Sequence, residues 1–169
     1  MKRRLAAALC LAPLLVRAAA PEPTRPVPPS LYQGRWFEIA GTPTPRERSC
    51  RASMFDFRPR AGGFTLVQSC HRGSANGPVR QIVEAGAVIP GTGGAKFKLA
   101  FLGGLVRQDY WILDTAPDGA WAILATPGGH YVWILARSPV LTAVAAAEAR
   151  RRVLALGYPS SRLAPSREP

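Results

Sequence analysis

The chain has 169 residues, of which 47% are hydrophobic, and carries a formal net charge of +12. A chain of this size buries one ordinary core, so a single domain is expected, and the absence of heptads and of repeats of about 20 to 50 residues excludes coiled-coil and repeat architectures. The excess of basic side chains favours an anionic partner.

The N-terminal segment 1–18 has the pattern of a secretory signal, with a basic start followed by an apolar run that is too short to span a bilayer. Small residues permit cleavage after Ala18 or after Ala20. We prefer cleavage after Ala18, because Pro21 is a poor residue to have directly behind a cleaved bond. The sequence therefore predicts an exported protein, either periplasmic or secreted.

Cys10 raises the question of a lipid anchor. A bacterial lipoprotein site has a small residue directly before the cysteine, whereas Leu9 stands there, so no anchor is expected. Removal of the signal lowers the basic residues from 22 to 18 against 10 acids, which leaves a charge near +8. In an exported protein this charge favours an anionic membrane surface and not nucleic acid. A general arginine bias explains the same charge, and both interpretations stay open.

The segment 19–30 contains too many prolines to join a sheet. An extended polyproline spacer is expected there, a linker that holds the domain away from its N-terminus. The domain itself is predicted over 31–163, and the residues 164–169 are predicted to form a tail.

Short apolar runs then alternate with turn clusters at the spacing of a meandering antiparallel sheet. Eight up-and-down strands close into a barrel that holds one small ligand, whereas fewer strands leave open edges. The sequence thus predicts an all-β fold, an eight-stranded antiparallel β-barrel. The predicted strands are 36–41, 51–58, 64–71, 79–89, 95–102, 108–114, 120–126 and 130–137.

The connections distinguish the two ends of the predicted barrel. The compact turns at 59–63, 90–94 and 117–119 share one end, and the longer loops share the other. In one of these longer loops, Leu105 and Val106 are apolar where most loops are polar. They either form an apolar lip beside the entrance, for contact with ligand or bilayer, or fold back over the barrel.

Cys50 and Cys70 are the cysteines that remain after the signal is removed. They flank a hairpin whose turn centres near residues 60 and 61, so the paired strands bring the two sulfur atoms together. Because an exported protein meets an oxidising environment, a disulfide is expected. A reactive Cys70 beside His71 is disfavoured, since neighbours in a strand point to opposite faces.

The period of the apolar residues changes from two to 3.6 over 143–156, which predicts one amphipathic helix. Thr142 is a suitable N-cap, and Gly157 ends the helix. The predicted apolar face contains Val144 and Leu154. A single helix that follows eight strands must pack outside the barrel.

The ordered combination of four motifs resembles the lipocalins, in particular the bacterial lipocalins related to apolipoprotein D. This resemblance covers about residues 31–163 and implies a calycin barrel. It also implies that Trp36, which follows Gly34 on the first strand, closes the base of the barrel against Arg137. A guanidinium stacks well on an indole, which agrees with that role. The motifs are GRWFEIA at 34–40, KFKLAF at 96–101, DYWILD at 109–114 and YVWILARSP at 131–139.

Strand alternation predicts which side chains face the cavity. We expect the charged Lys96, Lys98, Arg80 and Glu84 to lie outside the barrel and Arg137 to lie at its base. Both faces of the hairpin between the two cysteines carry apolar residues, so no pocket residue is assigned there. The predicted ligand-binding residues are Glu38, Val83, Ala85, Phe97, Leu99, Phe101, Tyr131 and Trp133.

Glu38 shares the inward parity of Trp36. A carboxylate in an apolar cup has a raised pKa or a partner. The partner is either a structural group such as Tyr131 or a polar group of the ligand, and the sequence leaves this open.

A mostly apolar cup with few polar groups favours a non-catalytic carrier of a fatty acid, a lysophospholipid or a similar lipid. The resemblance implies binding, transport or storage of such lipids, with a role in envelope maintenance. An enzyme on the same barrel is the first alternative, but His71 and His130 lack spaced partners, so we expect no catalytic residue, metal or cofactor. A structural barrel filled by its own side chains is the second alternative, and the oligomeric state is left open.

Overall fold

Eight antiparallel strands form a closed barrel, as the sequence predicts. The computed structural model describes residues 19–45, 49–74 and 76–166. The first strand pairs with both the second and the eighth strand, so the sheet closes on itself. The signal prediction for 1–18, with Cys10, lies outside the described residues. The strands are β1 (Gly34–Gly41), β2 (Cys50–Arg60), β3 (Gly63–Arg72), β4 (Val79–Val88), β5 (Lys96–Phe101), β6 (Val106–Thr115), β7 (Trp121–Ala125) and β8 (Val132–Ala136).

The up-and-down order places alternate connections at opposite ends of the barrel. The β2–β3, β4–β5 and β6–β7 turns form the base. At the first of these, Gly62 has a φ of +75°, in the left-handed region that favours glycine and permits a tight turn. The four remaining connections surround the opposite end, which we call the mouth.

The proline-rich segment is not a spacer. Residues 20–29, which we call the strap, lie along the outside of the barrel from the mouth to the base. At the mouth, the buried Ala20 donates its backbone N–H to the Pro127 carbonyl at 3.0 Å. At the base, the N–H of Val27 bonds to the Gly93 carbonyl at 2.8 Å, and the Val27 side chain is buried in the inner core. Prolines prevented the strap from joining the sheet but not from packing on it.

Ion pairs accompany this packing on β5 and β6. Glu22 pairs with Lys96, and Arg25 pairs with Asp114 at 3.4 Å. Asp114 also accepts from Arg152 of the C-terminal helix at 3.3 Å, so one carboxylate joins the strap, the sheet and the helix. Exposed pairs contribute little individually, and burial of Val27 is therefore the main attachment of the strap.

Replacement of Val27 by serine tests this attachment. We expect the free energy of unfolding to fall by about 2 kcal/mol, because the apolar contact is lost and a hydroxyl is buried. Urea denaturation measures the change. The matched control is Val140→Ser, since Val140 is largely exposed and its replacement should be neutral. Equal stability of the two variants would show that burial of Val27 does not attach the strap.

The helix α1 (Ala143–Ala155) packs outside the barrel, and the hydroxyl oxygen of Thr142 caps it by accepting a backbone N–H at 3.2 Å. The predicted apolar face is wrong. Ala149 and Val153 are fully buried against the outer face of the sheet, whereas Val144 is 81% exposed. The contact face thus contains Ala149 and Val153, one helical turn apart, and not the exposed Val144 and Leu154.

The C-terminal segment returns to the barrel. A two-residue strand, β9 (Ala164–Pro165), pairs with β1, so the predicted tail begins inside the sheet. Before it, Arg162 donates to the carbonyls of Gly129 and His130 at the mouth, at 3.0 and 2.8 Å. Within the described part of the chain, no helix is long and apolar enough to cross a membrane.

The barrel cavity as a candidate binding site

Trp36 and Arg137 close the base of the barrel. The Cζ atom of Arg137 lies 3.8 Å from the centroid of the buried Trp36 indole. The same guanidinium donates to the Ser30 and Gln33 carbonyls at 2.9 and 2.6 Å. Burial lowers the pKa of Arg137, but an arginine remains charged under these conditions. The stacking that the resemblance implies is therefore present, together with a ring of backbone bonds that holds the guanidinium in place.

An aromatic cluster lies above this closure. The Tyr32 hydroxyl donates to the Gly94 carbonyl at 2.6 Å, and burial raises the pKa of Tyr32, which keeps it protonated as a donor. Its ring lies 5.2 Å from Phe64 and 5.5 Å from Phe97, measured between centroids. The lower barrel is thus closely packed, and the space that could hold a ligand lies nearer the mouth.

A cavity of about 420 Å³ opens above the aromatic cluster. Its size falls within the usual range for small-molecule sites. The large side chains that could have filled the barrel instead line this space, which argues against the filled-barrel alternative. Five of the predicted ligand-binding residues are in its wall, namely Phe97, Leu99, Phe101, Tyr131 and Trp133.

Aromatic rings follow one side of the cavity from the lower barrel to the mouth. Phe97 stacks on Tyr110 at 5.4 Å, and Tyr131 stacks on Trp133 at 5.8 Å, between centroids. A tilted contact of 6.0 Å between Tyr110 and Trp133 joins the two pairs. These rings support one another, so this wall keeps its shape without a ligand.

The predicted parity of β4 is wrong. Val83 is 65% exposed and Ala85 is also exposed, so both lie on the outer surface of the barrel. The alternate residues face inward instead. Ile82 lines the cavity, and Glu84 is in its wall and only 4% exposed.

Two contacts explain this reversal. Inside the barrel, the Gln68 amide donates to the Glu84 carboxylate at 3.1 Å, so the carboxylate does not need water as its partner. Gly86 faces inward under Phe64, and a Cβ atom there would lie 2.2 Å from the Phe64 ring. Only a glycine fits beneath that ring, which fixes the even-numbered residues of β4 inside. The assumption that charged side chains stay outside fails here.

Glu38 lies inside the barrel but is not part of the cavity wall. It pairs with Leu135, which faces inward, and antiparallel partners share a face. A Cβ atom on Gly41 would lie 3.1 Å from the Glu38 carboxylate and 2.4 Å from the Trp133 ring. The carboxylate and the indole thus occupy the space that the missing side chain of Gly41 leaves.

Cys50 and Cys70 form the predicted disulfide, with their Cα atoms 5.4 Å apart. Both line the cavity near the mouth. The bridge therefore fixes the upper ends of β2 and β3, where the cavity opens.

The β5–β6 connection projects from the mouth. We call residues 102–106 the lip. Leu102 is 74% exposed and Leu105 is 88% exposed, so the lip does not fold back over the barrel. Val106, at its end, is also exposed on one side and lines the cavity on the other.

The two histidines lie apart from the cavity wall. His71 Nδ1 is 3.1 Å from the Gly77 carbonyl, and His130 is exposed in the β7–β8 connection. Among the residues that the structure describes, no group of three or more His, Cys, Asp or Glu side chains could hold a metal ion.

A sequence model of the lipocalin-like domain family matches residues 29–168. The chain belongs to the lipocalin family. The match spans the last residue of the strap, all eight barrel strands and the helix. The family match therefore extends beyond both ends of the predicted domain 31–163.

Among characterised relatives, this lipocalin is 27% identical over 143 residues to temperature-induced lipocalin-1 of Arabidopsis thaliana, which covers 78% of this chain and 74% of the relative. Solved structures with the same fold include insecticyanin from the tobacco hornworm Manduca sexta, with a TM-score of 0.69, 19% identity, and coverage of 86% of this chain and 82% of insecticyanin. The cockroach allergen Per a 4 has a TM-score of 0.66 at 12% identity and covers 90% of this chain and 96% of its own.

The sequence did not identify the polar part of the cavity wall in this lipocalin. Gln68, Arg80 and Gln108 line the cavity beside Glu84. Each stands in an apolar strand, which is a weak signal by itself. Their inward direction depends on register and on the fit of Gly86 under Phe64, neither of which alternation alone reveals.

Proposed function

We propose that this lipocalin is a non-catalytic carrier that binds, transports or stores a small hydrophobic ligand in its barrel. The ligand class that we favour is a fatty acid, a lysophospholipid or a similar lipid. The observation that carries the proposal is the cavity of about 420 Å³, open at the mouth and closed at the base by Trp36 and Arg137. An apolar chain that enters this cavity leaves water for a mostly apolar wall, which is favourable without directed bonds.

The few polar side chains suit an amphipathic ligand. Phe97 and Leu135 give the lower cavity an apolar wall, and the Glu84 carboxylate there is bonded to Gln68. Gln108 lies opposite Leu99 at mid-height, and Arg80 stands nearer the mouth beside Cys70. An apolar tail pointing down and a polar head pointing towards the mouth would match both parts. The proposal assigns no catalytic role to any residue.

We propose the cell envelope of a bacterium as the setting, because the chain resembles the bacterial lipocalins related to apolipoprotein D. The disulfide between Cys50 and Cys70 supports export to an oxidising compartment. We propose a periplasmic or secreted protein without a lipid anchor, with a role in envelope maintenance. Its basic charge supports peripheral contact with anionic membranes.

Native mass spectrometry of freshly purified protein, followed by organic extraction, tests the ligand class directly. We expect a co-purifying acyl compound, and we expect unlabelled fatty acid to displace a fluorescent fatty acid from the cavity. A protein that carries no extractable lipid and binds no such probe would overturn the proposal.

Two neighbouring positions on β4 provide a sharper test. Ile82→Trp adds bulk inside the cavity, and we expect it to weaken binding of the fluorescent fatty acid at least about tenfold, because overpacking must be relieved before the ligand fits. Val83→Trp adds the same ring on the outer surface and should leave binding unchanged. Titration of both variants measures the difference, and loss of binding only in Val83→Trp would reverse the assignment of inner and outer faces.

A further inference from the structure

The lip combines exposure with an unusual backbone. Leu102 has a φ of +51°, in the left-handed region that a branched side chain adopts only with strain. Glycine or asparagine would occupy this position more easily. A leucine at this strained position, largely exposed and three residues before the exposed Leu105, indicates a role for its side chain outside the fold.

The lip is continuous with the cavity. Phe101 directly precedes it and lines the cavity, and Val106 at its end does the same. A ligand that enters or leaves beside β5 and β6 would therefore meet apolar surface from the lip to the cavity wall.

Basic side chains surround the mouth. Arg107 is exposed directly after the lip. Arg51 donates to the Gly73 carbonyl of the β3–β4 connection at 3.3 Å, and Arg162 holds the β7–β8 connection. The acidic Asp109 on β6 is paired with Lys98 at 3.6 Å. An apolar projection within a basic rim matches the chemistry of an anionic bilayer surface, which offers acyl chains beneath negative head groups.

We propose that the lip docks this lipocalin on an anionic lipid bilayer with the mouth facing the membrane. Leu102 and Leu105 enter the interface between head groups and acyl chains, while the basic rim contacts the head groups. As a route for ligand exchange, the inference rests on the proposed carrier function, but docking itself does not. An acyl ligand then passes between the bilayer and the cavity without exposure to bulk water.

Flotation with lipid vesicles tests docking. The mature protein should bind vesicles that contain phosphatidylglycerol and bind pure phosphatidylcholine vesicles much more weakly, with a loss of binding as salt is raised. Leu105→Ser should weaken binding to the anionic vesicles about tenfold, because one leucine no longer leaves water. The matched control is Val144→Ser on α1, which removes an equally exposed apolar side chain away from the mouth and should bind as wild type does.

A polarity-sensitive dye gives the orientation. It is attached to Leu105→Cys or to Val144→Cys with the native disulfide intact. Anionic vesicles should shift the emission to the blue at position 105 only. Equal shifts at both positions, or none at position 105, would overturn the inference. Self-association of the protein that Leu105→Ser abolishes, without vesicle binding, would assign the lip to a second copy of the chain and would also overturn it.

Uptake of the fluorescent fatty acid from solution separates the two proposals. Leu105→Ser should keep normal uptake, since Leu105 does not line the cavity. Vesicle binding without any uptake would refute the carrier and leave docking intact. Uptake without vesicle binding would refute docking and leave the carrier intact.

Discussion

Replacement of Trp36 by alanine is expected to lower the free energy of unfolding by about 4 kcal/mol. The indole is almost fully buried at the base of the barrel, and its removal leaves a cavity that the closed sheet cannot collapse to fill. The variant also loses the bond from Trp36 Nε1 to the Leu31 carbonyl, 3.1 Å long, and the stacking with Arg137. Urea denaturation with fluorescence detection, together with the melting temperature, measures the loss.

Trp36→Phe is the matched control for this prediction. It keeps an aromatic face beneath Arg137 but loses the indole N–H, so its loss of stability should be clearly smaller than that of the alanine variant. A Trp36→Ala protein that melts within about a degree or two of wild type would show that Trp36 does not close the base, since a cavity of this kind has a measurable cost.

The base and the barrel could be predicted because their signals are local. Alternating apolar residues between turn clusters define eight strands. Eight antiparallel strands of this length can close into a barrel, which leaves no exposed sheet edge. Cys50 and Cys70 stand at similar distances from one hairpin turn, so their pairing needs little more than the register of β2 and β3. The pairing of Trp36 with Arg137 came from the resemblance to the lipocalins and not from spacing.

The features that sequence reasoning missed depend on tertiary contacts. The inner face of β4 is decided by the fit of Gly86 under Phe64 and by the bond from Gln68 to Glu84, which joins residues 16 positions apart. A rule that keeps charged side chains outside predicts that Val83 faces inward. In the structure its neighbour Ile82 faces the cavity instead. Polar residues inside the barrel are the positions at which such a rule fails, because a neighbouring side chain and not water supplies their hydrogen bonds.

The predictions for the strap and for the contact face of the helix were wrong for a related reason. Because proline lacks a backbone N–H, the strap cannot pair as a strand of the sheet. The same prolines do not prevent Val27 from packing on the barrel. In the helix, Ala149 and Val153 pack on the sheet, while Val144 and Leu154, which the sequence pattern placed on that face, stay exposed. In both elements the deciding factor is the shape of the partner surface, which is not written in the segment itself.

Removal of the disulfide by the double replacement Cys50→Ser and Cys70→Ser is expected to lower the free energy of unfolding by about 3 kcal/mol. The bridge closes a loop with a sequence separation of 20 and so restricts the unfolded chain. In the folded protein it also holds β2 to β3 at the mouth, where Cys50 and Cys70 line the cavity. We therefore expect weaker binding of the fluorescent fatty acid in addition to lower stability. Urea denaturation and probe titration measure the two effects.

The wild-type protein in a reducing agent provides the control, because cleavage of the bridge without any substitution should bring its stability down to that of the double variant. A thiol titration of the mature, denatured and unreduced protein should find no free sulfhydryl. Two free thiols would contradict the bridge itself. If the thiols are absent but reduction leaves the unfolding midpoint unchanged, the loop is already restrained by the contacts between β2 and β3, and the entropic contribution assigned to the bridge is wrong.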